Sequence, residues 1–332
     1  MRARLALPLA LIVSSAVIEC GQLASDADGS DGPVLDASMD VHCVQGAFGA
    51  LTPVAELNTT ADERGLRLSP DELFGVFSRV TASDASLPPL SLYAASRADA
   101  QSAFAQSKIM YLASDGWQYP AVYPTLTSNG SMLTYESLCQ GQTVPHASTL
   151  CAARRDASTN GFFGIDPLIG TVSDTDTIPG GFGAGFALGD GFVNGDASAY
   201  YFVSRLAPDG GLAATDGGSS PQAIFVTHAA AGIFNSYALV ARDDASWMDN
   251  PVLSADELTM YVSTRASYSA SPHVAVMTRS DAQAPFGPPV QLHELDSTDG
   301  EYPTWVSPDQ CRLYLTRVVD GHGDLFVASR AP

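Results

Sequence analysis

The chain has 332 residues, with 16 Lys and Arg against 36 Asp and Glu, for a formal net charge of −20. Lys108 is its one lysine, and the acidic balance excludes the clustered cations that neutralise nucleic-acid phosphates. Apolar content of 45% is ample for a large core.

Residues 1–20 read as a signal peptide. Arg2 and Arg4 give a cationic start, and Leu5 to Ile18 form an apolar run too short to span a bilayer comfortably but suited to export. The run ends in Val17-Ile18-Glu19-Cys20-Gly21, which resembles the lipobox of bacterial lipoproteins and implies lipidation of Cys20. Glu19 departs from the small residue usual before that cysteine, and the alternative is ordinary cleavage after Ala16 or Ala24. The expected location is the cell envelope, as an outer-membrane or cell-surface lipoprotein whose lipid anchor is its one membrane contact, or otherwise the periplasm or medium. Residues 21–44, rich in Ser, Gly and Asp, form a flexible acidic linker.

Five cysteines less a lipidated Cys20 leave four, an even number in an oxidising compartment. Cys139 and Cys151 flank one loop between successive strands, where a bond would staple the hairpin. Cys43 and Cys311 lie near the two ends of the folded region, where a bond would tie its start to its last repeat. The rival arrangement pairs Cys20 with another cysteine.

Residues 45–332 read as one closed domain. A turn of the Ser-Pro-Asp type leads five times into an apolar strand ending in Ser, Thr or Arg, with anchors at Asp71, Asn129, Asp196, Asp256 and Asp309, spaced by 58, 67, 60 and 53 residues. Third strands are expected at Leu90 to Arg97, Thr149 to Arg154, Ala223 to His228, His273 to Arg279 and Asp324 to Arg330. Inner strands are expected at Pro251 to Leu253 and, in the glycine-rich third unit, at Phe182 to Leu188. Pro289 to Leu292 supplies a fourth strand. The last unit ends after its third strand, and Phe48-Gly49 to Leu57 copies Phe286-Gly287 to Leu292, so the N-terminal strand should complete the last blade and close a ring.

These residues resemble the TolB-type, WD40-like propeller repeat. The matches are Pro303-Thr304-Trp305-Val306-Ser307-Pro308-Asp309 with Asp324 to Arg330, and Leu68-Ser69-Pro70-Asp71. The resemblance covers about residues 48–332 and implies an all-β, five-bladed propeller of four-stranded antiparallel blades, serving as an interaction module.

The repeated Asp side chains read as turn-fixing groups that accept bonds from nearby amides. Segments entering the inner strands should instead converge around the axis, and all are acidic. With their aromatics they give an expected binding face of Asp62, Asp115, Trp117, Tyr119, Asp174, Asp176, Asp244, Trp247, Asp249, Asp299, Tyr302 and Trp305. A carboxylate ring there could hold calcium, and ring faces could stack on a sugar or peptide. The blander reading is that the acids keep the protein soluble and the aromatics wedge blades together. No ligand spacing matches a dedicated calcium loop, and no zinc array, nucleophile elbow or phosphate loop is present. The function expected is a monomeric, cofactor-free, non-catalytic scaffold for an envelope or extracellular protein or a polysaccharide, with no nucleic-acid role. The alternative is a carbohydrate-active enzyme, glycosidase or lyase, using Glu63, Asp249 and Glu301, which needs carboxyl groups roughly 5–10 Å apart.

Overall fold

The computed structural model describes residue 43 and residues 46–80, 90–110, 122–127, 130, 132–137, 149–155, 162–167, 189–195, 198–205, 222–230, 233–243, 246–267 and 269–331. They belong to one compact unit, Val41–Pro332. The signal peptide and most of the linker, with Cys20, lie outside the described residues, as do Cys139 and the expected site residues Asp115, Trp117, Tyr119, Asp174, Asp176 and Asp244.

Five four-stranded antiparallel sheets make a five-bladed propeller. The first strand in the chain, β1 (Thr52–Pro53), is lent to the last blade. Blade 1 is β2 (Glu63–Leu68), β3 (Phe74–Val80), β4 (Leu90–Ser96) and β5 (Lys108–Ile109). Blade 2 is β6 (Val122–Leu126), β7 (Met132–Ser137), β8 (Thr149–Arg155) and β9 (Phe162–Pro167). Blade 3 is β10 (Gly189–Val193), β11 (Ala199–Arg205), β12 (Gln222–Ala230) and β13 (Ile233–Ala241). Blade 4 is β14 (Trp247–Leu253), β15 (Thr259–Arg265), β16 (His273–Thr278) and β17 (Val290–Gln291), followed by a 3-10 turn, η1 (His293–Leu295). Blade 5 is β18 (Glu301–Val306), β19 (Arg312–Val319) and β20 (His322–Ser329), completed by β1. Among the described residues no helix is long and apolar enough to cross a membrane.

One expectation is corrected. The described inner strand of blade 3 is Gly189–Val193, ending five residues beyond the expected Phe182 to Leu188, which lies outside the described residues. Asn194 takes the turn position that Ser69 holds in blade 1, accepting the Ala199 amide on its side-chain oxygen at 2.9 Å, so the strand must end immediately before it. Gly191 is required there, because a Cβ would lie 2.1 Å from the Tyr200 hydroxyl. The inner strand of blade 4 is longer than expected, running from Trp247.

Local chemistry accounts for the blade. Ser69 and Ser254 each donate a hydroxyl bond of 2.6 Å to Asp71 and Asp256, which accept the amides of Leu73 and Leu258 at 3.0 Å. Asp309 accepts from Ser307 and from the Cys311 amide in the same way. These aspartates therefore fix turns. The residue after the turn Asp or Asn is left-handed in each of the four blades where it is described, with φ of 59° at Glu72, 62° at Gly130, 59° at Glu257 and 56° at Gln310.

At the same end of blades 1, 4 and 5, the arginine just after the third strand lies over a phenylalanine: Arg97 on Phe104, Arg279 on Phe286 and Arg330 on Phe48, at 4.5, 4.4 and 3.9 Å from the ring centre. The next residue donates its amide to the third strand in each case, from Ala105, Gly287 and Gly49. The repeated Phe followed by Gly or Ala is thus a stacking platform followed by the return to the fourth strand.

Blades pack face to face and bury their apolar residues between them. Tyr201, Ile224, Met248, Met260 and Val262 meet between blades 3 and 4, while Tyr261, Val274, Leu313 and Leu315 meet between blades 4 and 5. Ring closure follows the expected plan: Thr52 and Pro53 pair with Val327 and Phe326, and Cys43 is disulfide-bonded to Cys311.

Candidate functional site

The three inner-strand carboxylates are held by arginine. Glu63 opens β2 and is fully buried, accepting Arg79 Nε at 2.7 Å and the Thr59 hydroxyl at 2.5 Å. Glu301 opens β18, is equally buried, and accepts Arg317 Nε at 3.1 Å. The second guanidinium arm reaches a leucine carbonyl six residues before the acid in both blades, Leu57 and Leu295. Asp249 in β14 pairs with Arg265 at 2.7 Å. A buried carboxylate requires such a partner, and a repeated intrablade pair supplies it at the mouth of each of these three inner strands.

Their neighbours are arranged differently. Asp62 pairs with Arg64 at 2.6 and 2.7 Å and accepts the Gly323 amide of blade 5 at 2.9 Å, bridging the seam. Asp324 lies beside it, and burial, with the negative charges of Glu63 and Asp62, pushes its carboxyl above the usual range. Asp299 is exposed and Trp247 half-buried.

Along the axis lie two cavities. The one at the start of the inner strands is about 230 Å³, lined by Arg64, Arg67, Asp249, Arg265, Tyr302 and Thr316 among others. It brings together two of the expected binding residues, Asp249 and Tyr302. Glu63 and Glu301 do not line it.

The cavity at the opposite end is about 510 Å³ and opens among the Ser-Pro-Asp turns. All five blades contribute the last residue of their inner strand: Leu68, Leu126, Val193, Leu253 and Val306. Phe192, Trp305, Thr125 and Glu257 extend its wall, and Arg67 lines both cavities, so it sits between them. Arg67 is only 4% exposed, with its guanidinium 5.2 Å from the centre of the Phe192 ring. A register shift in every inner strand turns these side chains toward the axis, between Arg64 and Arg67 in β2 and between Gly189 and Phe192 in β10.

Sequence reasoning placed Trp305 on the face where inner strands begin. It lies near the far end of β18, against Tyr314 and at the turn-side cavity. Arg67 and Phe192 were missed. The signal was present at the second residue before each turn Ser, Thr or Asn, which is Arg67, Thr125, Phe192, Val252 and Trp305 in blades 1 to 5. A position whose chemistry changes in every repeat carries specificity more readily than one that is constant.

Fold and site together define an all-β, five-bladed propeller with two axial cavities that share Arg67. No family model matches the chain, and no curated protein does. Among solved structures it resembles an endo-arabinase from Bacteroides thetaiotaomicron, 13% identical with a TM-score of 0.50, over 86% of this chain and 98% of that one. It also resembles TolB from Acinetobacter baumannii, at 12% identity and a TM-score of 0.45, where 82% of this chain covers 56% of that one. A third is the catalytic domain of an α-L-arabinofuranosidase from Coprinopsis cinerea, at 12% and 0.49, over 86% and 97%. At these identities the likeness concerns the fold alone, and the blade count rests on the strand pairings themselves.

Proposed function

We propose that the protein is an exported, non-catalytic binding propeller of the cell envelope, lipid-anchored through Cys20, whose ligand enters the axial cavity at the turn face. The observation that supports this reading is the state of the carboxylates: Glu63, Asp249 and Glu301 are each committed to an arginine of their own blade, at 2.7, 2.7 and 3.1 Å. A glycosidase needs one carboxyl free to give a proton and another free to attack or to activate water. The turn-side cavity instead offers apolar walls, two aromatic rings and the Arg67 guanidinium, beside a Glu257 carboxylate that bonds Asn194 and Tyr201 and pairs with Arg279. That lining suits an apolar side chain carrying a carboxylate or other anionic group, presented by an envelope protein or polymer.

The test is affinity capture from the native envelope with the wild-type chain, Arg67→Gln and Trp305→Ala. A partner retained by wild type and by Asp309→Asn, but reduced about tenfold by either cavity substitution, is the expected outcome, a loss of one or two good contacts. The smaller cavity keeps the enzymatic reading testable, because Asp249 and Tyr302 share it. Turnover of a polysaccharide panel that Asp249→Asn abolishes would overturn the non-catalytic assignment.

A further inference from the structure

Away from the axial cavities, where β16 meets the connection from β17 to β18, His273, Asp296 and Glu301 bring one ligand atom each within 4.8 Å of one another. His273 opens β16, Asp296 follows η1, and Glu301 opens β18. His273 Nδ1 lies 3.2 Å from Asp296 Oδ1 but makes no hydrogen bond. Glu301 gives one oxygen to Arg317, while its other oxygen, Oε2, is buried without a hydrogen-bond partner. His273 Nδ1 and Glu301 Oε2 thus lie beside the Asp296 carboxylate, both withdrawn from water without a hydrogen-bond partner, a costly arrangement for polar atoms.

The surroundings hold this spacing rigidly. The Glu301 amide bonds to the Pro272 carbonyl at 3.1 Å, and the Ser271 hydroxyl to the Thr298 carbonyl at 2.9 Å. Gly300 has φ of +108°, and a Cβ there would lie 2.7 Å from the Pro272 ring, so glycine is what lets the two segments close. Asp296 is itself oriented by Gln291 Nε2, at 2.9 and 3.1 Å, and by His293 Nδ1 at 3.1 Å. Gln291, His293 and Arg317 therefore stand where outer-shell groups stand around a metal, each fixing a carboxylate that would ligate.

We propose that His273, Asp296 and Glu301 form a binding site for a divalent transition-metal ion of the zinc type, with water as the fourth ligand. Tetrahedral zinc bonds of about 2.0–2.2 Å place neighbouring ligand atoms roughly 3.3 Å apart, and the gap between His273 and Asp296 already has that size. Glu301 already brings one carboxylate oxygen within 4.8 Å of the other two ligand atoms. An imidazole nitrogen with two carboxylate oxygens suits zinc, whereas calcium takes six to eight oxygens. The competing account is that protonated histidines simply pair with Asp296, which predicts no metal binding.

Full-length protein stripped with a chelator is titrated with zinc by calorimetry and followed by thermal unfolding, with cobalt as the spectroscopic probe. One zinc per chain, a rise in Tm, and the visible absorption of four-coordinate cobalt are expected. His273→Gln and Asp296→Asn each weaken binding by roughly tenfold or more, while His322→Gln and replacement of zinc by calcium serve as controls, the first binding as wild type and the second not binding. Absence of stoichiometric zinc binding by the wild-type chain overturns the site whatever the variants do. So does binding left intact in both variants.

Discussion

At the residue scale, the left-handed position after each turn Asp shows how one backbone constraint is used in different ways. Glu72 accepts bonds from Arg97 at 2.9 Å and from Tyr314 of blade 5 at 3.1 Å, and it also pairs with Arg312. Burial outweighs these partners and pushes its carboxyl above the usual range, while burial and the nearby Glu72 charge push the Tyr314 phenol up to about 12. Glu257 does the same work between blades 4 and 3, bonding Tyr201 at 2.7 Å and Asn194 at 2.8 Å. Gln310 occupies the equivalent place with its side-chain oxygen buried and unpaired. Gln310→Gly should therefore stabilise by about 1 kcal/mol, the cost of left-handed backbone to a residue with a Cβ. Glu72→Gly should instead destabilise by about 3 kcal/mol, because it strands arginines that the blade seam buries. Paired Tm measurements check both signs. Asp324 provides a pH test. Its folded pKa is raised, so the folded state holds the proton more tightly, and the stability this gives is lost as pH rises through the window between the unfolded and folded values. Asp324→Asn should thus raise Tm at neutral pH, with the gain vanishing once pH falls below the ordinary carboxylate range.

At the element scale, second and third strands were legible to within a residue or two, because alternation of apolar and polar residues with period two is a local signal. The turns of blades 1, 4 and 5 were legible for the same reason: Ser and Asp two apart close on each other with no help from the rest of the chain. Inner strands were harder. They are five to seven residues long and each carries a register shift, so their periodicity breaks in the middle. In β10 glycine at 189 and 191 removes what apolar pattern remained, and the preceding glycine-rich stretch drew the assignment too early. The same shifts conceal the site. Arg67 reads as an outward charge in an alternating strand until the bulge turns it to the axis, where it meets Phe192 from a blade 125 residues later.

For the whole molecule, closure depends on contacts between the two ends of the folded chain. β1 contributes only two residues to blade 5, and the Cys43–Cys311 bond adds a covalent tie to the hydrogen bonds and ion pairs across the seam. With a separation of 268 residues, the chain-entropy account assigns it about 5 kcal/mol. Reduction, or Cys311→Ser, should lower Tm substantially while leaving the far-ultraviolet dichroism of the β-sheets in place below the transition. An unchanged Tm would mean that β1 and the blade interfaces close the ring unaided. The five-fold repeat, the all-β class, the ring and this cysteine pair were determined by the sequence alone, since each depends on recurring local patterns or on matching motifs at the two ends. Which carboxylates are locked by arginine, which face carries the larger cavity, and which residues gather at Asp296 were decided only by the tertiary structure. Those arrangements join side chains from separate strands and blades, and their positions depend on register shifts and blade packing that no local pattern encodes.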